Sequence, residues 1–308
     1  MTRTEPVAPV RRIRSARPVL RVPRRSPLRP RRSIILTVIC IGLIVYALLP
    51  LVWLTLSATK TQPDLLNSFG LWFGGEFALW DNIGRTLAYD DGVYLKWLRN
   101  TLFYVIVGAG GATFLGLIGG WGLAKFAFAG RKVVFAAVLG AIAIPGTALA
   151  VPTFLMFAQA GITNTPWAVI IPALIEPFGL YLMWIYASEA VPDELVEAAR
   201  IDGAGEFRIL FQIALPVLTP GLITVLLFNV VAGWNNFFLP LIMLNDPEWY
   251  PLTLGLDSWS AQATAMGGEA IFDLVITGSL LAVIPLIVTF LFLQRYWQSG
   301  LTLGGVKE

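Results

Sequence analysis

Few residues in this chain have the type and spacing to do chemistry. Glu176 is the one ionisable side chain deep within an apolar run, where a charge is expensive and marks a functional candidate. Trp234, Asn235 and Asn236 set a flat aromatic face beside amide donors and acceptors, a combination that suits a sugar ring. Each has a plainer reading: a carboxyl bonded to a backbone carbonyl freed by Pro172 or Pro177, asparagines bonding between helices, a packed tryptophan. From Glu197 to Pro216 the chain reads EAARIDGAGEFRILFQIALP, too polar for a bilayer yet regular enough for two short helices. With no histidine and with its single cysteine, Cys40, in an apolar run, the chain cannot form a His/Cys zinc cluster or an internal disulfide. No lysine directly follows a glycine, so the phosphate-cradling loop is missing, and any ATP used must be held by another chain.

The elements that must position these residues belong in a bilayer. The sequence is 56% hydrophobic and 13% charged, with apolar runs at 34–56, 101–124, 133–160, 166–187, 217–244 and 271–293. Each is near or above the roughly 20 residues that a helix needs to cross, so six transmembrane helices are expected. Small residues at Gly108, Ala112, Gly116 and Gly120 recur every four positions, a ridge that lets two helices approach closely. Prolines at 145, 152, 172 and 177 should break the third and fourth spans.

Charge sets the orientation. Eleven arginines and six prolines crowd residues 1–33 against the single acid Glu5, which reads as an unstructured arm that touches anionic membrane lipid, not as a nucleic-acid-binding domain. Alternate loops divide the lysines and arginines 18 to 4, so both termini and the segment at 188–216 are expected in the cytoplasm. The parts are then an arm at 1–33, a first span at 34–56, an external loop at 57–98, a membrane core at 99–293 with a cytoplasmic loop at 188–216, and a cytoplasmic tail at 294–308.

In that loop Asp193 and Glu194 complement the positive end of a helix that starts beside Pro192, and Leu195, Ala198, Ala199 and Asp202 share one face. Gly203 and Gly205 supply a turn, and a second helix, Glu206 to Ile213, should end before Pro216. The result is a compact knob for another protein's groove.

Glu197, Ala198, Ala199, Gly203, Ile213, Leu215 and Pro216 fall at the spacing of the Glu-Ala-Ala signature, so the run resembles that of ABC importer permeases. WNNFFLPL (234–241), GITNTPWAVIIP (161–172) and QRYWQSGLTLGGVKE (294–308) are similar to segments of the carbohydrate importers of the maltose/trehalose type, specifically the shorter of their two membrane subunits. The long arginine arm and the final Glu308 depart from that pattern. The resemblance implies an all-α integral membrane protein with the type I ABC importer permease fold. It further implies a homologous second permease, a dimer of ATPase subunits that bind ATP and magnesium, an extracytoplasmic solute-binding protein and a sugar cargo, with no hydrolysis in this chain. Coupling to the ATPase would then fall to Glu197, Ala198, Ala199, Asp202, Gly203, Ile213, Leu215 and Pro216, and Glu176, Trp234, Asn235 and Asn236 would be candidates for the sugar path. A polyol, sugar phosphate or amino acid is an alternative cargo, because the signature reports the engine. An ion-coupled carrier would call for ionisable groups in several spans, and a channel for rings of polar residues.

Overall fold

A computed structural model describes the backbone of residues 33–303 and the side chains as far as Gln294. The arginine-rich arm and the final Glu308 lie outside the described residues. Contacts group the chain into two units, Met1–Leu48 and Leu49–Glu308. The boundary falls within the first helix, α1 (Ile34–Ala58), which continues past Pro50.

The chain then forms α2 (Gln62–Asn67), α3 (Leu79–Tyr104), a five-residue π-helical turn (Val105–Ala109) and α4 (Gly110–Lys125). These are followed by α5 (Arg131–Ala143), α6 (Ala150–Gln159), α7 (Pro166–Leu174), α8 (Pro177–Ala190) and α9 (Asp193–Ile201). A single turn, α10 (Glu206–Arg208), leads through a second π-helical turn (Ile209–Ala214) into α11 (Leu215–Trp234), and α12 (Phe238–Met243), α13 (Leu252–Thr264) and α14 (Phe272–Leu303) complete the fold. Among the described residues, five helical stretches are long and apolar enough to cross a membrane, and the bent pair α5 and α6, counted as one span, brings the number to six.

That pair shows what the prolines do. Arg131–Ala143 and Gly146–Gln159 meet at 98°, with Pro145 in the break and Pro152 in the first turn of α6. The fourth span divides likewise: Ile175 and Glu176 leave the helical region, and Pro177 restarts the helix where its missing N–H costs nothing.

The expected loop at 57–98 contains α2 and most of α3. Its helix went unread because Asp81, Arg85, Asp90, Asp91, Lys96 and Arg99 depress the hydropathy. Yet Asn82, Thr86, Val93, Tyr94, Trp97 and Tyr104 fall inward on an amphipathic face that packs against α13 and α14. A kink at Tyr89–Gly92, with Asp90 and Asp91 in the left-handed region, divides it. The sixth helix also runs on through residues first given to a tail, to Leu303.

The small-residue ridge meets α7 at Gly108, beside Ala173, and α8 at Gly116 and Gly120. Gly108, Ala112, Gly116 and Gly120 are all buried. A side-chain carbon at Gly120 would stand 2.7 Å from both the Met183 Cβ and the Trp184 backbone nitrogen. In lipid, where apolar burial gives no drive, this backbone contact is what holds α4 to α8.

Candidate coupling site

The polar loop between α8 and α11 is built on that pair. Val196 and Ala199 of α9 are buried in one cluster with Leu117 and Trp121 of α4, Met183 and Ala187 of α8, and Ile209 and Leu210. Burying a side chain the size of Val196 contributes roughly 1.5–3 kcal/mol. The cluster therefore fixes α9 to the membrane core along one side.

The end of α9 is closed by a Schellman motif. The Gly203 N–H donates to the Arg200 carbonyl at 3.0 Å, and the Ala204 N–H reaches back to the Ala199 carbonyl at 3.0 Å. Gly203 carries φ +78°, as the sequence requires of its turn, and an added side chain there would meet open space. Arg200 braces the corner with a two-pronged bond to Glu206, Nε to Oε1 at 2.7 Å and Nη2 to Oε2 at 3.2 Å, while its guanidinium lies over the Phe126 ring. The Glu206 carboxylate raises the Arg200 pKa further, so the guanidinium stays charged.

Two expectations need correction. Of the four residues expected on one face, Leu195, Ala198 and Asp202 are exposed, whereas Ala199 is buried in the cluster and serves the fold. Ile213 and Leu215 are half-buried against the same cluster. The second helix does not end before Pro216; Glu206–Trp234 is one continuous helical stretch. The Leu215 N–H bonds to the Leu210 carbonyl, five residues back, so the wider π turn shifts the hydrogen-bond register just where Pro216 has no N–H to give. Glu197, Ala198, Asp202, Gly203 and Pro216 are exposed, together with Leu195, Phe207 and, at 86%, Ile201.

Lys125 was missed in the sequence. Its side chain is 4% exposed at the C-terminal end of α4, and its ammonium donates to the Val191 carbonyl and the Asp193 carboxylate, both at 2.6 Å. It thus ties α4, the end of α8 and the start of α9 together, beside a cleft of about 220 Å³ that Arg131 and Glu197 also line. The local signal was only a basic residue in the last turn of a helix, since its acid partner starts α9, 68 residues on. Lys125→Met should remove a charged hydrogen bond to Val191 that contributes about 1.5–3 kcal/mol, and lower uptake at unchanged membrane expression. The Lys125 ammonium holds the Asp193 carboxyl below the usual carboxylate range. Because that pKa is depressed, the Asp193 contribution is present above the unfolded carboxylate value and lost as pH falls through the folded one, so uptake near neutrality should not titrate through this pair.

Within the spans, Glu176 caps α8: its carboxylate accepts the Gly179 N–H, so its partner is a backbone donor and not a freed carbonyl. Gly179 lies between this carboxylate and Asn229, whose amide donates to the Thr113 hydroxyl at 3.1 Å. Thr113 in turn donates to the Ala109 carbonyl of the π turn at 2.7 Å. Asn229 and Thr113 are buried, and the isolated amide inside the fifth apolar run was the signal for them. Trp234 is buried in the packing around Val105, Ala109 and Leu252. Asn235 ends α11 with its amide on the Val231 carbonyl at 2.8 Å, and the Asn236 carbonyl accepts from the Thr253 hydroxyl at 2.8 Å. Trp234 and Asn235 also line a small cavity with Thr253 and Ser279.

A family described as "Binding-protein-dependent transport system inner membrane component" matches residues 96–302. The chain belongs to this family. Members are membrane pore subunits, not enzymes, and the matched region of this transport component runs from within α3 to the end of α14. The component is similar to the arabinooligosaccharide transport system permease protein AraQ of Halalkalibacterium halodurans, 33% identical over 85% of this chain and 91% of that protein. It is 30% identical to the lactose transport system permease protein LacG of Rhizobium radiobacter over the same shares. A crystallised bacterial ABC transporter that imports the acidic polysaccharide alginate shares its fold, with a TM-score of 0.73 at 20% identity, covering 85% of this chain and 95% of that one.

Proposed function

We propose that this permease forms one half of the pore of an ATP-driven carbohydrate importer and takes its driving motion from a separate ATPase through α9 and its turn. The observation that carries the reading is the division of α9 and its turn: Val196 and Ala199 root the helix in the α4–α8 pair, while Ala198, Ile201 and Gly203 are left outward. An ATPase groove that closes around the exposed side would pull on a rigidly anchored lever and rock the spans between two states of access. A second, homologous permease would complete the pore, and a solute-binding protein would deliver the cargo from outside. ATP and magnesium would be bound by the ATPase subunits alone, and both termini of this chain would lie in the cytoplasm.

The carbohydrate reading is supported by relatives named for arabinooligosaccharide and lactose transport. Uptake of labelled mono- and disaccharides, compared with polyols and amino acids in a deletion strain and its complement, tests it. Loss and recovery confined to a non-sugar solute would reject the carbohydrate.

Within the pore, Glu176 is the residue we assign to the cargo path, with Trp234, Asn235 and Asn236 as further candidates. It is half-buried and its second carboxylate oxygen is free of the cap. Glu176→Gln keeps an oxygen for the Gly179 N–H and should preserve insertion and stimulated ATP hydrolysis while changing apparent uptake affinity or sugar preference. Glu176→Ala loses the cap as well, at about 1 kcal/mol. Unchanged uptake kinetics for every transported sugar in Glu176→Gln would remove the charge from the path.

A further inference from the structure

Between α1 and α3 the chain makes an excursion whose ends are tied together. The Ala78 N–H donates to the Thr59 carbonyl at 2.8 Å, and the Asn82 amide clips the Ala58 and Lys60 carbonyls at 3.0 and 2.8 Å. Inside it, the Lys60 ammonium, on a side chain from a fully buried residue, donates to the Phe69 carbonyl at 2.8 Å. The Asp64 carboxylate accepts the Gly75 N–H at 2.9 Å. The backbone is therefore fixed at several points. Its large side chains nevertheless face outward: Phe69, Trp72, Phe73, Phe77 and Trp80 are each 50–73% exposed. An apolar set held out by a braced backbone is a surface for something.

Its depth says what. A side-chain carbon at Gly70 would stand 3.4 Å from the Trp53 indole nitrogen. Trp53 lies five residues before the end of α1, so the excursion folds back along that helix by about 7–8 Å. At about 37 Å, the 25-residue helix outreaches a hydrocarbon core of roughly 30 Å, so a span that starts at one boundary would bring its last turns to the headgroups of the other. The only charged residues between Thr61 and Trp80 are Asp64 and Glu76, and Asp64 is occupied within the fold. Aromatic rings with few charges, at the level where a span leaves the hydrocarbon, match the chemistry of the acyl–headgroup interface.

We propose that Phe69–Trp80 is a lipid-interface platform, its aromatic side chains seated in the leaflet in which the first span ends. The platform would fix the depth of α1 and the tilt of α3, which leaves it at Leu79.

The test uses the whole transporter in lipid nanodiscs, with a nitroxide on Phe73→Cys or, separately, Phe77→Cys in a Cys40→Ala chain. Asp257→Cys, on the exposed side of α13, is the aqueous reference. Collision rates with oxygen, which concentrates in the bilayer, and with a water-soluble nickel chelate are compared. The platform predicts a several-fold higher oxygen-to-nickel ratio at 73 and 77 than at 257, unchanged when the solute-binding protein is added. A nickel-dominated signal would overturn it. So would low collision with both reagents, which means that protein covers the site, or a signal that changes only with the solute-binding protein, which makes the surface a protein contact.

Discussion

Gly120→Val is expected to remove most of the protein from the membrane fraction. The ridge of α4 touches α8 so closely at this position that even a methyl group would lie 2.7 Å from the Trp184 backbone nitrogen. Backbone cannot swing aside as a side chain can, so the helices must separate along the seam from Gly116 to Gly120. Overpacking of this kind costs about 3 kcal/mol, the upper part of the usual range, and in lipid no apolar drive offsets the parting. Gly122, one turn-face away, meets nothing within 4 Å, and Gly122→Val should insert normally. Membrane yield and resistance to limited proteolysis of the two variants make the comparison.

The second large effect is expected at Gly203, for a different reason. Space is free there, so the obstacle is the positive φ and not a clash. An L residue in the left-handed region costs roughly 1–2 kcal/mol, most for a β-branched side chain, and about 1.4 kcal/mol is a tenfold change in population of the closed turn. Gly203→Val should insert and fold in the membrane but lose about nine-tenths of its uptake, whereas Gly203→Asn, a residue tolerated in this conformation, should transport well. Equal uptake by Val and Asn variants at equal expression would show that the turn geometry is not what coupling requires.

What the sequence disclosed followed from period and hydropathy, and what it hid followed from packing. Apolar runs located every span because twenty apolar residues have few uses outside lipid, and the prolines located both breaks. Gly203 was legible because a turn between helices needs a left-handed residue. The helical part of 79–98 was not, since its charges face outward and its inner face is mixed with Asn82 and Thr86. Pro216 was read as a stop because a local rule sees the missing N–H and cannot see the π turn that absorbs it. Helical spacing groups Ala199 with Leu195, Ala198 and Asp202, and only the positions of Leu117, Trp121 and Ile209 show which side of α9 is inside. Lys125 and Asn229 act through partners 66 and 116 residues away, beyond the reach of any short motif.

Central to the account is that the exposed side of α9 and its turn receives the ATPase. Ile201 is the most exposed apolar residue there and contributes nothing to the cluster beneath, so Ile201→Asp should leave the membrane fold intact while placing a charge in the proposed groove. The direct measurement is co-purification of the ATPase subunits, expressed with the permease pair, on a tagged copy of this chain. Recovery is expected with the unaltered chain and with Glu76→Lys, in the segment between α1 and α3, and loss of the ATPase with Ile201→Asp at equal permease recovery. Full retention of the ATPase by Ile201→Asp would contradict it.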